Sequence, residues 1–544
     1  MTLPKTKVLI IGIDGATWDN LDDYVLDNFM PTLKGLRSRG SSGILKSTFP
    51  AVTPAAWTTC TSGCDPQTHG LTDFQKYSFP DNLLEITNST SVVVPSMWHY
   101  LGQQGYRVAS LNVPFTYPAY SINGIMVSGL GCPGTGCDFT YPKDFKKTLL
   151  KSIPDYGIAL GPEGINKRNN SFGGTQQEFT KTINRLGRRF ENRLEVARLV
   201  QKENPVDIMM VQFQQLDLLQ HLCWPYIYYK TRDQHPWHRD QVFDLLKKLD
   251  GIIAELLQLI DLDNSLLIVA SDHGFGPMKY NANVNRFLTE WGYIKRADTF
   301  TRMIRRTRRN LMNLQKPQNR HMTVDLKQPI NWKKTRAIAL RRPIYGAVYL
   351  NVKGRQPGGC VNPGDEYNQL IDELKEKFLA VTNPQNGEKV FERVVTPKES
   401  WPHLDAPEEI FGDLMVAQKQ GYRTNLTMKD SYPPIEPIPA DSLSASWHHP
   451  NGIHIIAGNN IKKNHQTHAK ISDLAPTIYS WLGMDIPAEV DGNCINDVFN
   501  QPTTAKKLDT RNFPESFTGA GSYEESEQEK QALAEQLKNL GYLE

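Results

Sequence analysis

Asp272 and His273 stand side by side at the end of an apolar run, "LLIVASDHGFG" (residues 266–276), with Gly274 directly after them. A segment suited to burial that closes on a carboxylate and an imidazole needs something to take up their polarity. Two other apolar runs finish in the same kinds of group. "KVLIIGID" (7–14) ends on Asp14 before Gly15, and "VDIMMVQFQQLDLLQH" (206–221) carries Asp217 and His221 just past its apolar stretch. Each has a plain structural reading. Asp14 before a glycine suits a turn, and Asp217 and His221, four residues apart, share one face of a helical turn where an Asp–His hydrogen bond accounts for both. Three aspartates and two histidines at three run ends also describe a single polar cluster. Oxygen and imidazole ligands without thiolate suit Zn²⁺ or Mn²⁺ in a hydrolytic site.

A hydroxyl is offered by a second stretch, "FPAVTPAAWTTCTSG" (49–63). Thr53 as N-cap, Pro54 at the first helical position and Gly63 past the end punctuate a short helix. A threonine there caps the helix and no more. Yet a helix N-terminus also favours anions through its free N–H groups and dipole. Beside a divalent cation, a hydroxyl in that place becomes a candidate nucleophile towards phosphorus.

Such groups have to be positioned by a sheet. The three runs are near-continuous apolar strands separated by helical patterns, among them "FDLLKKLDGIIAELLQLI" (243–260). That pattern predicts an α/β fold with a mostly parallel sheet covered on both faces, and such sheets collect functional groups beyond the carboxyl ends of their strands. The frame agrees with an ordinary globular chain: 544 residues, 22% charged, and a formal net charge of +3 that argues neither for nor against nucleic acid. Seven scattered cysteines do not form a disulfide framework. No run reaches the roughly 18 apolar residues of a membrane span. The N-terminus enters a strand-like run with no small-residue cleavage site, so the expectation is a cytoplasmic protein without a secretory signal.

Several motifs occur in one order: "IGIDGATWDNL", "TPAAWTTCTSGCDPQTHGLTDF", "DLLQH", "SDHGFGP", and "SWHHPNGI" followed by "DLAPTIYSWLGMDIP". With "SLNVPFTYP", "MVSGLGCPG" and "YLNVKGRQPGG" between them, they resemble the type I phosphodiesterase/nucleotide pyrophosphatase branch of the alkaline phosphatase superfamily, near its bacterial phosphohydrolase/phosphomutase-like members. The likeness runs from about residue 7 to 500. It implies an alkaline-phosphatase-like sandwich with an inserted cap and two divalent metals, most often Zn²⁺ and in some branches Mn²⁺. Carried over by motif, Asp14, Asp272 and His273 hold one metal, with Thr53 on its phosphate side. Asp217, His221 and His448 hold the other, with His449 as the fallback for His448. The resemblance further implies attack by Thr53 on phosphorus, a phosphothreonine intermediate and its hydrolysis by water. This chain departs from the family at Phe74, in "HGLTDF", where nucleotide pyrophosphatases carry an asparagine that binds phosphate. It also lacks the Cys-x-Pro-x-Arg element of sulfatases.

The expected organisation is a catalytic core over 1–294 and 441–500, a cap over 295–440, and a linker with a terminal helix over 501–544. Within the cap, "FTRMIRRTRRNLMNL" (300–314) sets Arg302, Arg305, Arg306 and Arg309 against an apolar helical stripe. This is a solvated basic face or an anion-binding one. "RRPIYGAVYLNVKGR" (341–355) predicts a strand, and "SYEESEQEKQALAEQLKNLGYLE" (522–544) a charged helix. The resulting expectation is a metal-dependent phosphoric-ester hydrolase acting on a small-molecule phosphate ester, with no nucleic acid partner. The alternatives are a phosphomutase or phosphotransferase on a phosphometabolite, or a metal-retaining pseudoenzyme that binds anionic partners. Substrate-binding residues, mono- or diester preference and oligomeric state are not legible in the sequence.

Overall fold

The computed structural model describes residues 3–78, 83–158, 165–166, 171–172, 175–297, 330–341, 345–356, 358–401, 408–443, 445–510 and 526–539. The chain divides into two compact units, one of residues 1–74, 87–276 and 441–544, the other of 75–86 and 277–440.

The first unit is built on a ten-stranded sheet. Its strands are β1 (Val8–Ile13), β2 (Gly40–Lys46), β3 (Val108–Leu111), β4 (Gly124–Val127), β5 (Thr140–Tyr141), β6 (Ile208–Phe213), β7 (Leu266–Ala270), β8 (Asn451–Gly458), β9 (His465–Gln466) and β10 (Ala469–Lys470). Their order is β9-β2-β8-β7-β1-β6-β3-β4-β5, with β10 also paired to β2. The centre, β7-β1-β6-β3-β4, is parallel throughout, while β8 and β5 join antiparallel. Every residue of β1, β6 and β7 is buried, as expected of strands covered on both faces.

Strand alternation divides these side chains between two layers. Val8, Ile10, Ile208 and Met210 pack into a cluster with Trp57, Trp98 and Ile478. The intervening residues face the opposite layer. There the long helix α2 (Gln176–Glu203) lies along β3 and β6 and against α4 (Pro236–Leu256). Pro236 starts α4 earlier than the apolar pattern at 243–260 indicates, because proline at the first helical position costs no hydrogen bond.

Two shorter helices follow the sheet's carboxyl edge. Helix α1 (Thr53–Ser62) is buried along its whole length and ends where Gly63 turns left-handed at φ 72°. Helix α3 (Gln215–Ile227) begins two residues after β6 and breaks at Cys223, whose φ is −128°. The cause is Pro225, whose ring opposes the carbonyl four residues back, that of His221. Helix α3 is therefore regular only through the turn that carries Asp217 and His221.

In the second unit, a four-stranded antiparallel sheet runs in the order Ala337–Arg341, Tyr345–Leu350, Leu414–Gln418, Phe391–Val395, with helix Asp365–Ala380 packed against its last two strands. The strand expected within 341–355 is Tyr345–Leu350. The Arg-rich segment 300–314 lies outside the described residues. Of the expected terminal helix, Glu527–Asn539 is helical, with Leu533 and Leu537 buried. No helix among the described residues is long and apolar enough to cross a membrane.

Candidate active site

Register explains why carboxylates meet at this edge. Gly12 of β1 pairs with Ala270 of β7, so Asp14 and Asp272 each stand two residues beyond a shared level of the sheet. On the other side of β1, Gly12 pairs with Gln212, and the chain from β6 turns into α3, which places Asp217 in its first helical turn. Asp14, Asp217, Asp272 and His273 are all fully buried.

The side chains converge. Ligand atoms of Asp217, His221 and His448 lie within 4.8 Å of one another, as do those of Asp14, Asp217 and His273. Asp217 Oδ1 is 3.4 Å from His221 Nε2 and 3.3 Å from His448 Nε2. His273 Nε2 is 3.2 Å from Asp272 Oδ2 and 3.6 Å from Asp14 Oδ1. The rings of His273 and His448 stack with centroids 3.8 Å apart, and Thr53 Oγ1 is 3.4 Å from His273 Nε2. All seven residues expected from the sequence thus meet in one cluster, and Asp217 lies within reach of both groups. Of the two adjacent histidines, His448 enters the cluster. His449 turns the other way, as successive strand residues do, and its Nδ1 accepts from the Asn451 N–H at 3.1 Å.

Thr53 is not the helix cap. Val52 holds that position with φ −128° and ψ 144°, and Thr53 is the first residue inside α1. A capping hydroxyl accepts from the second or third helical N–H. The Ala56 N–H bonds the Val52 carbonyl, the first bond of the helix, and the Thr53 hydroxyl faces His273 instead.

The donor set fits divalent cations. His448 Nδ1 donates to the Ala51 carbonyl at 3.2 Å and His273 Nδ1 to the Gly274 carbonyl at 3.1 Å. In the neutral rings this leaves both Nε2 lone pairs directed at the carboxylates. Backbone or carboxylate partners of this kind orient histidines that bind metals. Asp14 Oδ1 and Asp272 Oδ2 are buried and accept no hydrogen bond among the described residues. Acceptors facing acceptors in a buried site call for a cation. The electrostatics agree. Burial, then the carboxylates of Asp272 and Asp217, push the Asp14 carboxyl well up, and burial and Asp217 do the same to Asp272. Burial and neighbouring His448 push His273 well down. Asp217 goes the other way: burial opposes its charge, but His221, His448 and His273 outweigh it and hold its carboxyl low.

Several supporting residues escape a reading of the sequence. Trp57 Nε1 and Gln212 Nε2 each donate to Asp14 Oδ2 at 2.8 Å, which fixes that oxygen and leaves Oδ1 facing the cluster. Gly12 exists to admit this arrangement, since a Cβ there would lie 2.6 Å from Trp57 Cη2 and 3.2 Å from Gln212 Cγ. The Gly15 N–H holds Asp272 Oδ1 at 3.2 Å. Phe275 and Trp447 stand edge-on to His221 at 4.8 and 4.9 Å between centroids and wall the cluster with aromatic rings. Trp57 is detectable in hindsight as four residues, about one helical turn, after Thr53; Gln212 carries no such signal. Phe74, the departure from the nucleotide pyrophosphatase pattern, packs edge-on against Phe115 with centroids 5.4 Å apart.

Residues 8–449 match the family model for type I phosphodiesterase/nucleotide pyrophosphatase. The chain belongs to this family. Membership makes it an enzyme of the phosphoric-ester hydrolase class with an alkaline-phosphatase-like fold. Solved structures of that fold include phosphonoacetate hydrolase from Sinorhizobium meliloti in complex with phosphonoformate, at 14% identity and a TM-score of 0.55, covering 87% of this chain and 95% of that one. Human ectonucleotide pyrophosphatase/phosphodiesterase 5 is similar at 13% identity and a TM-score of 0.51, covering 91% of this chain and all of that one. An inactive threonine-to-alanine variant of the mouse counterpart, in complex with AMP, gives the same values. No curated protein matches the sequence.

Proposed function

We propose that the chain hydrolyses phosphoric esters through Thr53 at a site for two divalent cations. The observation that carries this reading is the Thr53 hydroxyl at the start of α1, facing three buried carboxylates and three imidazoles, two of them buried and His221 half-buried. Asp14, Asp272 and His273 would hold one ion, with Thr53 on its phosphate side, and Asp217, His221 and His448 the other. When bound, the two ions supply Lewis-acid stabilisation of the phosphoryl oxygens and ease deprotonation of the attacking hydroxyl and water. Zn²⁺ and Mn²⁺ both suit the ligand types.

The residues of the chain account for the rest. Helix α1 points its positive end at the reacting phosphorus and offers N–H groups of its first turn, which carry no intrahelical bond. The Thr53 oxygen forms the new bond to phosphorus as the bond to the leaving alkoxide breaks, and the hydroxyl proton leaves with the alcohol. Water then cleaves the phosphothreonine and restores Thr53. Three carboxylates against two divalent cations leave the centre cationic, which matches an anionic phosphoryl group. The inactivity of the mouse threonine-to-alanine variant supports a nucleophilic threonine, and its AMP complex supports a small phosphate ester as ligand. Phe74 places an apolar ring where an asparagine would bind phosphate, so other donors serve that role here.

The test compares an aryl phosphate monoester with the matching diester, using Zn²⁺- or Mn²⁺-loaded protein beside Thr53→Ala and Thr53→Ser. Thr53→Ala should lose turnover while keeping its metals, and Thr53→Ser should retain part of the activity. Turnover undiminished in Thr53→Ala would sink the nucleophile assignment. Whichever ester is cleaved faster sets the substrate class. A phosphothreonine that forms but persists until an alcohol acceptor is added would replace hydrolysis with transfer.

A further inference from the structure

All seven cysteines are free thiols, and one pair of them lies outside the catalytic cluster with its sulfurs in contact. Cys132 and Cys137 belong to "GLGCPGTGC", the turn that leaves the carboxyl end of β4. Their Sγ atoms are 3.3 Å apart. Cys132 is fully buried, whereas Cys137 is partly exposed. The intervening segment leaves room around its glycines. Gly134 has φ 155° with open space around it, and Gly136 is equally uncrowded. A disulfide needs its sulfurs roughly 1.3 Å closer than they are, within reach of small rotations in such a turn.

We propose that Cys132 and Cys137 form a reversible redox dithiol, with Cys137 as the attacking thiol and Cys132 as the resolving one. Exposure assigns the roles, since an incoming reagent reaches only Cys137. Hydrogen bonding supports the same assignment. The Cys132 thiol, then the Tyr117 hydroxyl, stabilise the Cys137 thiolate against burial and bring it down to about 7, while burial pushes Cys132 well up. Glu529 of helix Glu527–Asn539 accepts from the same Tyr117 hydroxyl at 2.7 Å, so it competes with the thiolate for that one proton, and its carboxylate partly opposes the thiolate. Lys146 Nζ caps the Cys137 carbonyl at 2.7 Å and anchors the backbone of the attacking residue.

The oxidant class is a low-molecular-weight disulfide. The Cys137 thiolate attacks one of its sulfurs, forms a mixed disulfide and releases one thiolate. Cys132 gives up its proton, attacks Cys137 Sγ and expels the second thiolate. Two protein thiols are oxidised to one disulfide and the external disulfide is reduced to two thiols. The activity of the phosphoesterase site takes no part in this chemistry.

The experiment equilibrates the full chain in glutathione buffers of varied oxidised-to-reduced ratio, quenches with acid, alkylates and maps the peptides by mass spectrometry. Excess oxidised glutathione should remove two hydrogens from the 132–137 segment and protect both cysteines from alkylation, and excess reduced glutathione should restore both thiols. Cys132→Ser should stall with glutathione on Cys137, and Cys137→Ser should carry none on Cys132. Two thiols alkylated at every ratio, or a bond that reduced glutathione fails to reopen, would overturn the proposal using the wild-type chain alone. Glutathione on Cys132 in Cys137→Ser would overturn the assignment of roles.

Discussion

His69 braces the helix that presents Thr53, and it does so only while neutral. Its ring is fully buried. Nδ1 accepts the Leu71 N–H at 3.1 Å, so the proton sits on Nε2, which faces Thr59 Oγ1 of α1 at 3.0 Å. A second proton on Nδ1 would meet the Leu71 N–H head-on. Burial is the largest influence and pushes the imidazole from its ordinary 6.5 down to about 3, against weaker backbone contacts that favour the charged form. Because the folded value lies below the unfolded one, the unfolded chain takes up the proton first. Stability is therefore complete above 6.5, falls as pH drops through it, and continues to fall until about 3, where both states are protonated.

From pH 7 to pH 5 the unfolded chain gains this proton over roughly 1.5 pH units at about 1.4 kcal/mol each, a loss of about 2 kcal/mol from one side chain. Other groups titrate in the same interval, so the informative quantity is a difference. In His69→Gln the amide keeps one acceptor and one donor but cannot be charged. Urea unfolding of both proteins at pH 7 and pH 5, in chelator so that metal linkage is absent from each, isolates the contribution. The variant should be less stable at pH 7 yet lose about 2 kcal/mol less than wild type on acidification. Parallel pH dependences would show that His69 is not held neutral by its site and would refute the reasoning.

Two further substitutions probe the support of Asp14. Gln212→Leu removes one of the two donors to Asp14 Oδ2 at nearly constant volume. It should weaken divalent-metal affinity about 10- to 100-fold, read by competition with a chromogenic chelator, and unchanged affinity would count against Asp14 as a ligand. Gly12→Ala drives a Cβ to 2.6 Å from Trp57 Cη2 and displaces the indole whose Nε1 holds the same oxygen. It should cost about 1–3 kcal/mol in urea unfolding and weaken metal binding as well, an outcome that a merely tolerant core would not give.

How legible each feature is in the sequence follows from how periodic it is. Buried parallel strands announce themselves as unbroken apolar runs, and a polar group at the end of such a run marks the carboxyl edge of a sheet from residue order alone. That is why Asp14, Asp272 and His273 stand out, and why Asp217 and His221, one helical turn apart, can be joined to them. His448 has no such signal. It lies on the short strand Ser446–His449, far along the chain, and only the likeness to a known motif singles it out. Alternation along that strand then separates it from His449, a distinction that depends on which face the strand turns inward. Capping rules put Thr53 in the right helix but one position too early, since they score the hydroxyl for what it gives its own helix and are blind to a better partner across space. Trp57 and Gln212 mark the limit of the approach. Each passes for core or for an ordinary strand residue, and each becomes part of the site through one hydrogen bond to an oxygen that only the assembled sheet brings within reach. Legibility here ends where a residue's role is set by a neighbour from another strand, and the orientation of Asp14, on which the proposed metal at this edge depends, is set in that way by a helix on one side and a strand on the other.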